Sequence, residues 1–440
     1  MSYLRLRHTV MLLISLPLCS RAQRLLTAEE AVASALKNNY EILLLKNDSA
    51  VFALQKKYAQ SAFYPRINAG STLLLNNNNV KQELQDGSIR KGDGIRSNNV
   101  AANINLNWTL FDGLKMFATR DRLNEQVKLG ELNIRNQLVN TVAAVLLNYY
   151  NIVRQKQQLK AIEEQMSINE ERVRQAEKKL SVGLGAKPEL LQARLDLNAQ
   201  KASRLTQMNL IEQLKEQLNG IMTVEAGTRY EVADSIPIDP SIIVTDIISG
   251  AEKTNPLLLT AKQQISLSKL VIKERKADRF PTLQFNSAYN FNKLTNQTVV
   301  NNFTPLFNQN LGFNYGLSLN IPIFNAHTVK RQIKEAELDL NYRLTLYEYQ
   351  RFQINNAISI AYKNYEMQLQ NLALEEENIG LARENVQIAM ERNRLGISTI
   401  LELRESQKSL EDAYNRLIAA RYQAKQAETE LLRLKGDLVK

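Results

Sequence analysis

The chain has 440 residues with only 16 glycines and 9 prolines, too few turn formers for many loops, so long continuous elements are expected. Its formal charge of +11 comes from 56 Lys and Arg against 45 Asp and Glu. The cations are scattered along helical faces with glutamates between them, which excludes a nucleic-acid surface. One cysteine and two histidines exclude a disulfide framework and a histidine metal cluster.

Residues 1–22 carry Arg5, Arg7 and His8, an apolar run from Val10 to Cys19, and small residues at Ser20 and Ala22. This is the pattern of a secretory signal peptide. Cleavage after Ala22 starts the mature chain at Gln23, without a cysteine, and removes three of the 56 basic residues, leaving 53 against 45 acidic ones. Cys19 is an alternative lipidation site, against which Leu18 stands where a small residue is wanted. No later run approaches the ~18 apolar residues of a membrane-spanning helix.

Thr27 followed by Glu30 predicts a capping box opening a helix from Ala28 to Phe63, stopped by Pro65. The period then changes to two. Ile67, Ala69, Ser71, Leu73 and Leu75 share one face of a strand over about 66–76. Val100, Ala102, Ile104, Leu106, Trp108 and Leu110 alternate with Asn103, Asn105 and Asn107 over about 100–111. Two more strands are predicted over about 282–292 and 311–324, the last with Leu311, Phe313, Tyr315, Leu317 and Leu319 against Gly312, Asn314, Gly316, Ser318 and Asn320. Apolar on one face and Asn or Gly on the other suits a wall between lipid and a water-filled lumen. Four strands do not close a barrel, and open edges in lipid strand backbone groups at several kcal/mol each, so oligomerisation is expected. The polar connections Asn76 to Asn99 and Lys293 to Asn310 are expected as outer-surface loops.

Long helical patterns follow each hairpin. From about Ala326 to Arg394, Ile358, Tyr365, Leu372, Ile379 and Val386 recur at seven residues, and beyond Leu395-Gly396-Ile397 so do Leu403, Leu410, Leu417, Ala424 and Leu431. Ser406, Ala413, Ala420, Ala427 and Leu434 complete an a/d seam, a coiled-coil period. Such an incoming arm would be roughly 100 Å long. Val145, Ile152, Leu159, Met166, Val173 and Leu180 before Gly183, and Leu190, Leu197, Ile211 and Leu218 after it, repeat the arrangement.

Subtracting 213 carries Leu319, Asn320, Phe324, Tyr362, Asn364, Gly396, Glu402 and Leu403 onto identical residues: Leu106, Asn107, Phe111, Tyr149, Asn151, Gly183, Glu189 and Leu190. Upstream the offset is 216, pairing Tyr64-Pro65 with Phe280-Pro281 and Asn39 with Asn255. Two tandem repeats over 23–240 and 241–440 are therefore expected after the 1–22 signal peptide. The fold class expected is mostly α with β, a tandem repeat of long coiled-coil helices plus two β-hairpins.

The ordered set of helix, Tyr/Phe-Pro, hairpin, Leu110-Phe111-Asp112-Gly113 or Phe324-Asn325, long helix and tip glycine resembles the TolC family of outer-membrane efflux proteins. The tips Val182-Gly183-Leu184 and Leu395-Gly396-Ile397, each followed by Glu-Leu, match well, and the resemblance covers essentially the whole mature chain. It implies a homotrimer in the outer membrane of a Gram-negative bacterium, forming a twelve-stranded β-barrel and a periplasmic α-helical barrel. It implies an exit duct for a tripartite efflux pump or type I secretion system, with a periplasmic adaptor protein at the helix tips and an inner-membrane transporter supplying energy. The family's entrance carries acidic rings after the second tip, which the match places at Glu402 and Glu405, with Glu189 the repeat mate of Glu402. Asn393 and Ser398 stand where the family's prototype has a tyrosine and an arginine that help hold the entrance shut.

Val182, Gly183, Leu184, Leu395, Gly396 and Ile397 are thus the expected adaptor contact, since a reversal between two long arms exposes apolar groups a partner can cover. Glu402 and Glu405 are i and i+3 on one helical face, where their field would attract cations. No catalytic, cofactor or metal residue is expected: His327 is alone after processing, and Gly183-Leu184-Gly185-Ala186-Lys187 lacks the spacing and preceding strand of a phosphate loop. A periplasmic or surface coiled-coil scaffold or adhesin is the alternative, sharing the heptads but having no use for four alternating strands.

Overall fold

The computed structural model describes residues 25–300 and 304–439. The signal peptide of residues 1–22 and Cys19 lie outside the described residues. In chain order the elements are β1 (Leu25–Leu26), α1 (Ala28–Asn38), α2 (Tyr40–Lys57), a 3-10 turn (Ala59–Phe63), β2 (Arg66–Glu83), β3 (Ile89–Phe111), α3 (Lys115–Ser181) and α4 (Lys187–Met222). The second half has β4 (Glu231–Val232), α5 (Val244–Thr254), α6 (Pro256–Ala277), β5 (Thr282–Asn296), β6 (Phe307–Asn320), α7 (Thr328–Arg394) and α8 (Ile400–Lys435). The helix expected from Ala28 to Phe63 is broken at Asn39, whose ψ of 125° ends α1. Thr27 does cap α1, its hydroxyl accepting from the Glu30 amide at 3.2 Å.

The strands differ in extent from their expected spans. β2 and β3 continue through the stretch expected as a loop, with Asn76 opposite Ser97 and Lys81 opposite Lys91. Only Leu84 to Ser88 turns, with Gly87 at φ +79° and the Ser88 amide on the Asp86 carboxylate at 2.9 Å. A ribbon with water on both sides has no reason to alternate, so its period was invisible in the sequence. β5 and β6 likewise extend to Asn296 and back to Phe307. At its other end β6 stops at Asn320, not Phe324, where its partner β5 begins and where Pro322 has no amide to donate.

The chain divides into two compact units. The first comprises the segment up to Asn39, Asn140–Ile242 and Ala361–Glu430. Its core packs Ala31, Ala35, Val145, Ile152, Leu218 and Val232 around Tyr149, which donates to the Leu26 carbonyl at 2.8 Å and accepts from the Ala233 amide at 3.1 Å. Ile379 and Val386 of α7 interlock with Leu410, Ala413 and Leu417 of α8, the expected heptad seam.

The second unit comprises Tyr40–Val139, Ile243–Ile360 and Leu431–Lys440. It holds an antiparallel sheet in the order β2-β3-β5-β6. Its strands run to 18, 23, 15 and 14 residues, where ~9–11 tilted residues cross a bilayer. Ala69, Ile104, Tyr289 and Phe313 stand side by side across it, and so, one residue away, do Gly70, Asn103, Asn290 and Gly312.

The offsets of 216 and 213 hold in three dimensions. Arg66 faces Asn107 in one hairpin and Thr282 faces Asn320 in the other. Asn39 donates to the Ile221 carbonyl at 3.3 Å, and Asn255 donates to the Leu434 carbonyl at 2.7 Å. Both tips close alike, as described next.

Candidate functional site

Each tip is a helix reversal built on one glycine. The Leu184 amide reaches the Lys179 carbonyl at 2.9 Å and the Gly183 amide the Leu180 carbonyl at 3.1 Å. In the second, the Ile397 amide reaches Arg392 at 2.9 Å and the Gly396 amide Asn393 at 3.1 Å. This nested pair of bonds is a Schellman motif, which needs left-handed backbone at the glycine: φ is +77° at Gly183 and +75° at Gly396. Val182, Leu184, Leu395 and Ile397 stand exposed around the two turns, Leu184 at 83% of its full surface. Asn393 donates to the Ser398 carbonyl at 3.2 Å, and Thr399 caps α8 by accepting from the Glu402 amide at 3.2 Å.

The three carboxylates singled out in the sequence do not share one environment. Glu402 and Glu405 are exposed on α8, flanking the buried seam residue Leu403, and among the described residues neither has a cation within ion-pair distance. Glu189 is half-buried in a small cleft lined by Arg172 and Lys179 of the first helical hairpin and Asn393, Ile400 and Leu403 of the second. Beside it lies a residue that sequence reasoning missed. Asp196 of α4 pairs with Arg172 of α3 at 3.3 Å and with Arg404 of α8 at 3.7 Å, linking the two hairpins. Nothing in its spacing distinguishes it from the other helical carboxylates.

A second omission was legible. Ile360, Met367, Leu374, Leu381 and Ile388 recur at seven residues along α7 and are all exposed. This stripe lies two residues on from the buried one, and no described residue covers it. Leu184 of the first tip and Leu191 and Leu205 of α4 keep the same period and are also exposed.

The sheet presents a continuous apolar face that no described residue covers: Ile67, Leu73, Leu75, Ile104, Phe313, Tyr315, Leu317 and Leu319 are all exposed. The opposite face carries the Asn and Gly rows. Among the described residues no strand pairs with the outer edges of β2 and β6. No described helix is long and apolar enough to cross a membrane, and no group of three or more described His, Cys, Asp or Glu is placed to hold a metal.

The family model described as outer membrane efflux protein matches residues 31–224 and 247–437. The chain belongs to the outer membrane efflux protein family. It is 20% identical over 376 residues to the outer membrane protein TolC of Salmonella enteritidis, covering 83% of this chain and 72% of that one. It is 22% identical over 346 residues to the outer membrane efflux protein BepC of Brucella suis biovar 1, covering 76% and 72%. Among solved structures, the CusC channel superposes with a TM-score of 0.76 at 16% identity, covering 93% of this chain and 91% of that one. The outer membrane channel CmeC of Campylobacter jejuni does so with 0.76 at 16%, covering 94% and 86%. This efflux protein is thus an outer-membrane exit channel that extends into the periplasm, and its family is one of transport ducts, not of enzymes.

Proposed function

We propose that this efflux protein works as a homotrimer of two tandem repeats per chain. Its strands join into one barrel in the outer membrane, and its helices form the periplasmic tube of a passive duct. The observation that carries this reading is the open sheet: four membrane-length strands with an uncovered apolar face and two unpaired edges require further copies of the same hairpins. The internal repeat supplies a template for the junction. Within the chain Ile104 of the first repeat faces Tyr289 of the second. The offsets carry that pair onto Leu317 of one copy and Leu73 of the next, apolar against apolar.

The helices support the same closure. Ala161 and Ile168 of α3 line a cleft with Leu410, Tyr414 and Asn415 of α8, and the offset of 213 carries Ala161 and Ile168 onto Leu374 and Leu381 of the unpartnered α7 stripe. Their equivalent partner is α4 of a neighbouring copy, whose exposed stripe they would bury. Within the chain the Tyr414 hydroxyl donates to Glu164 at 2.6 Å. Its counterpart between copies would be an ion pair of Lys201 with Glu377.

The tips Val182-Gly183-Leu184 and Leu395-Gly396-Ile397 are proposed to receive a periplasmic adaptor, which links the duct to an energised inner-membrane transporter. Their exposed apolar groups on rigid turns suit docking better than solvation. Glu402 and Glu405 are proposed to ring the entrance, where unpaired carboxylates brought together by symmetry attract cations. Planar-bilayer recording tests the duct and its entrance together: cation-preferring conductance is expected, reduced in preference by Glu402→Gln with Glu405→Gln. Absence of any conductance from membrane-extracted oligomer would overturn the reading.

A further inference from the structure

We propose that Arg279, His327 and Lys330 form a binding site for the phosphate of a membrane phospholipid, a proposal that rests on reading the apolar face of the sheet as lipid-facing. The corner between strand and helix is built alike in both repeats. Gly113 and Leu114 have φ of +72° and +69°, and their mates Ala326 and His327 have +48° and +61°. The offsets also carry Phe63 onto Arg279 and Phe117 onto Lys330. In the first repeat Phe63 and Phe117 pack edge to face, ring centroids 5.0 Å apart. In the second repeat the corresponding place is a cavity of about 220 Å³, lined by Arg279 and Lys330 together with Ile323, Phe324, His327 and Val329. Two apolar rings have been exchanged for two cations at one corner of one fold.

Those cations have no acid of their own. Arg331 pairs with Glu335 at 2.7 Å and Lys334 with Glu337 at 3.5 Å, but among the described residues neither Arg279 nor Lys330 has a carboxylate within ion-pair distance. The Phe324 ring meets the His327 imidazole edge to face, centroids 5.7 Å apart, holding it at the rim. Left-handed backbone at two successive residues other than glycine is strain, the kind that clusters at ligand clamps.

The ligand must be anionic at one end and apolar at the other. Leu317, Leu319, Ile321 and Ile323 continue the exposed apolar face of β6 to this cavity, Ile323 at 94% and Phe324 at 77% of full exposure. Acyl chains along that face bring a phosphate to the cations, which charge-assisted hydrogen bonds would hold. A neighbouring copy is a poorer occupant. The first repeat's turn lies on Ala277–Phe280, where a Cβ on Gly113 would come within 2.4 Å of the Ala277 carbonyl, and there Lys115 meets Asp278 at 2.8 Å. The equivalent segment of a neighbour, Ser61-Ala62-Phe63-Tyr64, offers no carboxylate to neutralise Arg279 or Lys330.

The test is native mass spectrometry of the full-length protein extracted from nanodiscs of phosphatidylethanolamine with phosphatidylglycerol. The unaltered protein is expected to retain phosphatidylglycerol. Arg279→Gln with Lys330→Gln should lower that retention about tenfold or more. Arg279→Phe with Lys330→Phe, which installs the first repeat's aromatic pair and so keeps the corner packed, should lower it equally. Retention unchanged in both double variants would overturn the site. So would displacement of the lipid by millimolar inorganic phosphate, which marks a free-phosphate site, or lipid-independent crosslinking of Lys330→Cys to a neighbouring copy. Leu317→Arg separates the two readings: if it inserts as well as the unaltered protein, the lipid-facing sheet itself fails, whereas blocked insertion with unchanged lipid retention in the double variants removes only the phosphate site.

Discussion

Asp196 shows how a single side chain can couple the two helical hairpins. Its carboxylate lies between Arg172, whose side chain is nine-tenths buried, and Arg404 on α8. Removing it leaves Arg172 without its acid, so Asp196→Ala should cost ~2 kcal/mol. A lower midpoint of thermal unfolding by helical circular dichroism is the readout, and an unchanged midpoint would make the pair a solvated one. If the link also steadies the proposed entrance, Asp196→Ala should raise single-channel conductance. Tyr365 is a second such pin, donating to the Asp239 carbonyl. Burial pushes its pKa up to about 12, so it remains a donor throughout the physiological range.

At the scale of elements, what was legible followed from periodicity. The buried seam of Ile379 and Val386 against Leu410, Ala413 and Leu417 is the heptad read from the sequence. Strand faces were legible because lipid and water on opposite sides enforce alternation, as at Ile104 beside Asn103 and Asn105. Where both sides meet water, as at Lys81 and Lys91, alternation lapses and the strands ran on unseen. Asp196 and the cavity at Arg279 were illegible because they depend on which helices and turns meet, which no local period encodes. The exposed α7 stripe could have been read, and it gives a prediction. Leu374→Glu should shift the protein from oligomer toward monomer in analytical ultracentrifugation, whereas Glu376→Gln on the same helix should not. Equal effects would remove the stripe from the interface. In the sheet, Leu317→Arg should cost ~2–4 kcal/mol of membrane stability, and Asn105→Arg should be tolerated while altering conductance. Urea titration in lipid vesicles distinguishes the two, and equal costs would reverse the face assignment.

For the whole molecule, the open sheet and the unpartnered helical stripes make one requirement, that copies of this chain close on one another. The proposed docking depends on closure, because only an assembled tube would bring the glycine tips and Glu402 and Glu405 into rings. Leu184→Asp with Ile397→Asp should then leave the assembled protein in the outer membrane but abolish efflux, and retained crosslinking to an adaptor would count against the tips. Closure itself is open to a direct measurement. Leu73→Cys combined with Leu317→Cys should, on oxidation in native membranes, yield covalent trimers in denaturing electrophoresis. Leu73→Cys with Phe313→Cys, displaced four residues or ~13 Å along the strand, should not. Crosslinking of the displaced pair in place of the first, or of neither, would contradict the ring.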